Sequence, residues 1–389
     1  MPGPIGSIAR RVNPDRLADA TMRLVRIPSP PGEESAVAEA YAQLLASAGA
    51  RVELDARAAG SPSVIARIGR EGGRCLQLAG HLDTVPIPHD APRIVGDRLY
   101  GRGACDMKAG LAAIAETVRV LAAVVDDLDG SLLVTAYGLH EGAGSVPMHA
   151  PLRDLLARGV HGDAAIVCEG PHGMLPLSGK GSLIFRIDVT RPETAIDHEL
   201  RVGATPNPIF AALRLCEIVG AHVQQSPLEH PVLGGETFFV GAISGGELYN
   251  TLARTVTLHG TRRYPPPRTF EEVAAELDEA RATVERELGV TIAVTCERSG
   301  QPFEVAPDAA IVEALQAAHR AVTGRDLAAG HQLFASDVNH FASEAGIPVA
   351  AFGVDEDSGH STPEHVSLRE LEATARVYVD AAARYLGLP

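Results

Sequence analysis

The chain contains no tryptophan and only 4% aromatic residues, so its cores have to be built from aliphatic side chains. That composition suits an α/β protein whose sheet is buried by helices on both faces. Cysteine is scarce as well: Cys75, Cys105, Cys168, Cys216 and Cys296 are odd in number, widely spaced and without a C-x-x-C pair. No disulfide framework follows, and the five read as reduced thiols used for packing. Basic residues are outnumbered, with 34 Lys and Arg against 49 Asp and Glu, for a net charge of −15. Binding by phosphate neutralisation needs clustered cations, so nucleic acid is not an expected partner. Long hydrophobic runs are missing too. The most apolar helical stretch, Leu111 to Val125, carries Glu116 and Arg119 and is too short to cross a bilayer. Met1 to Val12 has two arginines but no apolar segment after them, so no secretory signal, no membrane association and a cytoplasmic location are expected.

At 389 residues the chain exceeds the size at which one hydrophobic core stops growing, and two domains are expected. The order of elements supports this. Asn13-Pro14 opens a helix to about Val25, a second helix runs from Ser35 toward Gly49, and aliphatic strands follow at Arg51 to Leu54, Ser63 to Ile68 and Cys75 to Leu78. A helix from Lys108 to Val125, strand Leu132 to Tyr137, a short helix around Leu152 to Arg158 and strand Ala164 to Cys168 continue the α/β alternation. From Ser182 the order becomes β-α-β-β-α-β, the pattern of a small α+β sandwich, and after Pro307 the alternation resumes, with a helix expected over Val338 to Ala345. One domain (180–298) is therefore expected to be inserted into another (1–179 and 299–389).

Five segments could carry chemistry. Gly80-His81-Leu82-Asp83-Thr84 ends an apolar strand, and residues two apart on extended chain face the same way, so Asp83 can support His81 in the carboxylate–histidine arrangement of a metal site. The glycine-rich loop Tyr100 to Cys105 brings Asp106 to the start of a helix, where an isolated Asp would first be read as an N-cap and Lys108 as a surface residue of the first turn. His140-Glu141-Gly142-Ala143-Gly144 and Glu169-Gly170-Pro171 follow two successive buried strands. Carboxylates there are costly to desolvate unless a cation compensates them. His360 lies in a loop before the last helix, with Glu364 and Ser367 as candidate capping groups. The remaining histidines, His149 and His340 among them, read as surface or supporting groups.

Together with Ile27-Pro28-Ser29-Pro30-Pro31-Gly32-Glu33-Glu34 and Ser336-Asp337, these segments resemble in order and spacing the zinc hydrolase family of acetylornithine deacetylase, succinyl-diaminopimelate desuccinylase, glutamate carboxypeptidase and the aminoacylases. The resemblance implies a catalytic domain with a mixed, mainly parallel sheet flanked by helices, and an inserted lid and dimerisation domain. It implies two divalent metal ions, zinc first with manganese or cobalt as alternatives. His81, Asp106 and Glu169 match the ligands of one ion and Asp106, Glu141 and His360 those of the other. It also implies a cis Asp106–Met107 peptide and a homodimer. Asp83 and His198 match supporting and oxyanion-stabilising groups, the latter reaching the partner's site, although Glu193-Thr194-Ala195-Ile196-Asp197 departs from the family's small, glycine-containing run. Asn250 matches a substrate contact and Arg263 a carboxylate-binding arginine, with Arg262 as its alternative. The main departure is His140, which stands where the family has the glutamate that acts as general base.

The activity this implies is hydrolysis of an amide-type C–N bond in a small carboxylate-bearing substrate, an N-acyl amino acid or small peptide, by a metal-bridging hydroxide, with His140 as proton shuttle. Two alternatives stay open: removal of ammonia from a non-peptide substrate, and a noncatalytic metal-binding protein on the same scaffold.

Overall fold

The computed structural model describes residues 8–70, 72–142, 148–170, 173–193 and 197–388. Ala143, Gly144, Pro171, His172 and the run 194–196 lie outside them. The chain divides into two compact units, Met1–Leu177 with Val305–Gly330 and His340–Pro389, and Ser178–Glu304 with His331–Asn339.

The first unit is built on a six-stranded sheet in the order Arg51–Asp55, Ser63–Gly69, Gly130–Tyr137, Arg74–His81, Ala164–Val167, Val349–Ala351. The first two pairings are antiparallel and the last three parallel, so the sheet is mixed and mainly parallel. Its central strands are buried on both faces, which is why they read as aliphatic runs rather than as alternating patterns. Helix Lys108–Ala122 is buried along almost its whole length, as its alanine- and glycine-rich sequence permits. Helix Pro14–Val25 starts as expected: Asn13 accepts a bond from the Arg16 amide at 2.9 Å, with Pro14 in the first turn. The stretch expected as one helix over Val338 to Ala345 divides, with an α-turn at Asp337–His340 and a π-turn at Phe341–Ala345.

The parallel strands bring their C-terminal ends side by side. His81 pairs with Tyr137 and Ala79 with Val167, so His81, the segment after Tyr137 and the segment after Val167 emerge from one edge of the sheet. Ligand sites of open α/β sheets form at such an edge.

The second unit has a four-stranded antiparallel sheet, ordered Thr237–Gly245, Thr255–Tyr264, Gly181–Thr190, Thr291–Gly300, with helices Pro208–Gln225 and Phe270–Leu288. Leu183, Phe185, Ile187 and Val189 alternate along one strand into a core shared with Leu215, Val219, Leu277 and Val284 of the helices. The period of two assigns the core face. No helix among the described residues is long and apolar enough to cross a membrane.

Candidate metal centre

Asp106 lies at the heart of the strand-end cluster. Its Oδ1 is 3.1 Å from His81 Nε2 and its Oδ2 is 3.1 Å from His360 Nε2, so each oxygen faces a different imidazole. His360 Nε2 also lies 2.8 Å from Glu141 Oε1. On the other side, His140 Nε2 lies 3.7 Å from Glu169 Oε1. Donor atoms of His81, Asp106 and Glu141 all fall within 4.8 Å of one another, and so do those of His81, His140 and Glu169. Imidazole nitrogens and carboxylate oxygens in this number suit zinc and similar divalent ions, so the residues fit the metals that the resemblance implies.

Backbone groups hold these side chains. His81 Nδ1 meets the carbonyl oxygen of Asp83 at 3.0 Å, while the Asp83 carboxylate accepts the Glu141 amide at 2.7 Å. Asp83 therefore supports His81 mainly through its main chain and spends its side chain on the neighbouring segment. Asp106 is not the helix N-cap; that position falls to Met107, which makes no side-chain cap. The Asp106–Met107 peptide is cis. Glu364 does not cap the last helix either, a role taken by Ser367, which accepts the Glu370 amide at 3.3 Å. Instead the buried Glu364 carboxylate accepts the amides of Gly103, Cys105 and Asp106 and pairs with Arg102 at 2.6 Å, fixing the loop that ends in Asp106. Lys108 is likewise no surface residue: it is buried, and its ammonium donates to the Ile27 carbonyl at 2.6 Å. Burial pushes it down to about 7 against the opposing pull of Glu364 and Asp83.

Space is as restrictive as hydrogen bonding. A methyl group added at Gly80 would lie 2.7 Å from the Cys168 sulfur, and one at Gly110 would lie 2.9 Å from the Cys168 carbonyl oxygen. Cys168, and with it the start of the Glu169 segment, is wedged between strand and helix.

The imidazoles and carboxylates of the cluster shift one another's titration. Burial and the adjacent His140 push the His81 imidazole down, but Asp106 and Asp83 outweigh them and raise it to about 9. His360 is also raised to about 9, chiefly by its hydrogen bond to Asp106. Burial alone would lift Asp106, yet the bonds from His360 and His81 hold it well below the usual carboxylate range. One acidic neighbour was missed from the sequence. Burial, followed by the charges of Glu169 and Asp106, pushes Glu356 well above its ordinary range, and its carboxylate accepts the Gly170 amide at 3.3 Å. Its only sequence signal is the acidic run Asp355-Glu356-Asp357 ahead of His360.

The other named residues belong to the second unit. His198 bridges to Thr251, and the Glu199 amide donates to the Asn250 carbonyl at 3.1 Å, so the His198 and Asn250 segments lie together. Asn250 Oδ1 is buried without a hydrogen-bond partner among the described residues. Arg262, the alternative carboxylate binder, is already committed: its guanidinium pairs with Glu236 at 2.5 Å and Glu276 at 2.7 Å. Arg263 donates to the Leu333 carbonyl at 3.3 Å and pairs with no carboxylate among the described residues.

The histidine–carboxylate cluster at the strand ends of this mainly parallel sheet has the donor set of a metal centre. Residues 77–384 match peptidase family M20/M25/M40, and the chain belongs to that family. It is 27% identical over 384 residues to a succinyl-diaminopimelate desuccinylase of Paracoccus denitrificans, covering 95% of this chain and 98% of the relative. An M20 family metallo-carboxypeptidase from Sulfolobus solfataricus shares the fold with a TM-score of 0.80 at 16% identity, covering 96% of this chain and all (100%) of that one. A dinuclear metal binding peptidase of the M20 family from Bacillus subtilis does so with a TM-score of 0.67 at 17% identity, covering 97% and 99%.

Proposed function

We propose that the chain hydrolyses the amide-type C–N bond of a small N-acyl amino acid or peptide bearing a free carboxylate, using two divalent metal ions. The observation that carries this reading is Asp106, whose two oxygens are turned to His81 and His360 at equal distances of 3.1 Å. A carboxylate so divided can hold two ions, with His81 and Glu169 completing one site and Glu141 and His360 the other. Zinc suits the donor set best, with manganese or cobalt tolerated. When bound, the ions supply Lewis acidity toward the scissile carbonyl and lower the pKa of water.

The chain's own residues do the rest. His140 accepts the proton of the attacking water at a ring nitrogen and delivers it to the leaving nitrogen. The Asp83 carbonyl holds His81 in register. Arg263, which pairs with no carboxylate among the described residues, is suited to a two-pronged bond with the substrate carboxylate, while Asn250 and His198 supply polar contacts to the substrate and the reacting oxygen. A homodimer is proposed through the second unit, whose edge strand Thr237–Gly245 exposes Phe239 at 64% and Ile243 at 55%. A bare apolar edge of this kind calls for a second copy. Five cysteines, none of them in a disulfide, fit a cytoplasmic location.

The test is a turnover screen of the zinc-loaded protein over N-succinyl and N-acetyl amino acids, including N-succinyl-diaminopimelate, together with dipeptides and non-peptide amines. Release of free amino acid, abolished by chelation and restored by zinc, supports the reading. Ammonia release from a non-peptide substrate would favour an aminohydrolase instead, for which the replacement of the usual glutamate by His140 is the argument. No turnover of any compound by protein with confirmed metal content would leave a noncatalytic metal-binding protein.

A further inference from the structure

Behind His140 runs a row of imidazoles in the first unit. His140 stacks on His81 with centroids 4.2 Å apart, His149 meets His140 edge-on at 4.9 Å, and His340 follows His149 at 4.7 Å. The row ends on Glu344, whose Oε1 lies 2.9 Å from His340 Nδ1 and which is gripped from the solvent side by Arg153 at 3.2 Å. His149 and His340 are buried, 3% and 0% exposed. Apolar side chains would fill this space at less desolvation cost.

Two features make the row directional. A carboxylate only accepts, so in neutral His340 the proton sits on Nδ1, leaving Nε2 as an acceptor; that Nε2 is buried with no partner among the described residues. His149 has φ of 57°, a left-handed conformation uncommon outside glycine, and its amide donates to the Leu139 carbonyl at 2.8 Å, tying it to the residue before His140. Aromatic edges carry positive and faces negative charge, so a ring fixed at one end of such a row orients the next.

We infer that His149, His340 and Glu344 are positioning residues for His140: Glu344 sets the tautomer of His340, and the touching rings carry that orientation to the His140 imidazole. The inference rests on the reading of His140 as the proton carrier.

It is tested on the zinc-loaded full chain labelled with ¹⁵N-histidine, the His140 signals being assigned by comparison with His140→Gln. Glu344→Ala and His340→Phe should shift the His140 ring-nitrogen signals from one tautomer toward a mixture. With the fastest N-acyl substrate of the screen they should lower kcat by roughly 10–100-fold, as loss of a group that orients a site residue does, with KM nearly unchanged. Glu344→Gln, whose amide oxygen still accepts from Nδ1, should restore both. Unchanged His140 signals in Glu344→Ala overturn the inference, and that variant decides alone should His340→Phe not fold. If the signals respond to Glu344 while His140→Ala retains full turnover, the positioning row stands and the proton-carrier reading fails.

Discussion

The His140 ring lies flat on the His81 ring, their planes 12° apart, so the proposed proton carrier packs directly against a proposed metal ligand. This contact lets binding and proton transfer be separated by mutation. His140→Ala should keep both metals and lose roughly 10²–10⁴-fold in turnover, the usual contribution of a positioned general base. His140→Glu should retain part of the activity and move the acidic limb of the pH–rate profile. Near-normal turnover in the alanine variant, with metal content confirmed, would make His140 a bystander.

Asp106 is the group on which both proposed ions depend. Asp106→Ala should bind fewer than two zinc ions per chain by elemental analysis. Two ions held with unchanged affinity would remove it from the bridging role.

Metal-free protein should be sensitive to alkaline pH. His81 is raised in the fold to about 9 from 6.5, so its protonated form contributes stability that is fully present below about 6.5 and is lost as pH rises through about 9. Chelated protein should therefore show a falling denaturation midpoint across that window, and zinc-loaded protein, in which a cation replaces the proton, a much flatter profile. Zinc binding near neutral pH should release protons, measurable by calorimetry in buffers of different ionisation enthalpy. Parallel pH profiles with and without zinc would refute this.

Glu364 ties the loop before Asp106 together from 258 residues away in sequence. Its removal leaves Nη1 of Arg102 and three amides without their acceptor, so Glu364→Ala should cost about 3–5 kcal/mol in chemical denaturation, as for other broken buried ion pairs. A change below about 1 kcal/mol, the scale of an exposed ion pair, would mean that the loop is held by other contacts.

The proposed dimer makes a complementation test possible. Mixed His198→Ala and Asp106→Ala chains, each nearly inactive alone, should regain activity through hybrid dimers in which one site has both residues. A fully active monomer would contradict this.

The main sheet and the cluster at its edge were legible because long aliphatic strands lead straight into His81, Glu141 and Glu169, and because polar residues are poor packing choices there. What was not legible depended on distant cover. Lys108 looks like a surface residue until the Ile27 carbonyl closes over it, and Glu364 looks like a cap until the loop at 102–106 folds onto it. Among the described residues the three-residue strands Arg93–Val95, Arg98–Tyr100 and His365–Ser367 form a sheet of their own, and each is too short to display a period. His149 and His340 carry no such signal, because nothing local separates a buried histidine from an exposed one.

The tight enclosure of Cys168 turns the chain into its own opening sensor. Cys168 and Cys105 immediately precede Glu169 and Asp106 and are 1% and 0% exposed, so an alkylating reagent reaches them only when those segments come apart. Their modification rates, against the partly exposed Cys75, Cys216 and Cys296, count the fraction of time the centre spends open. Added zinc should slow the two buried thiols and leave the other three untouched, giving a measure of metal occupancy that needs no substrate.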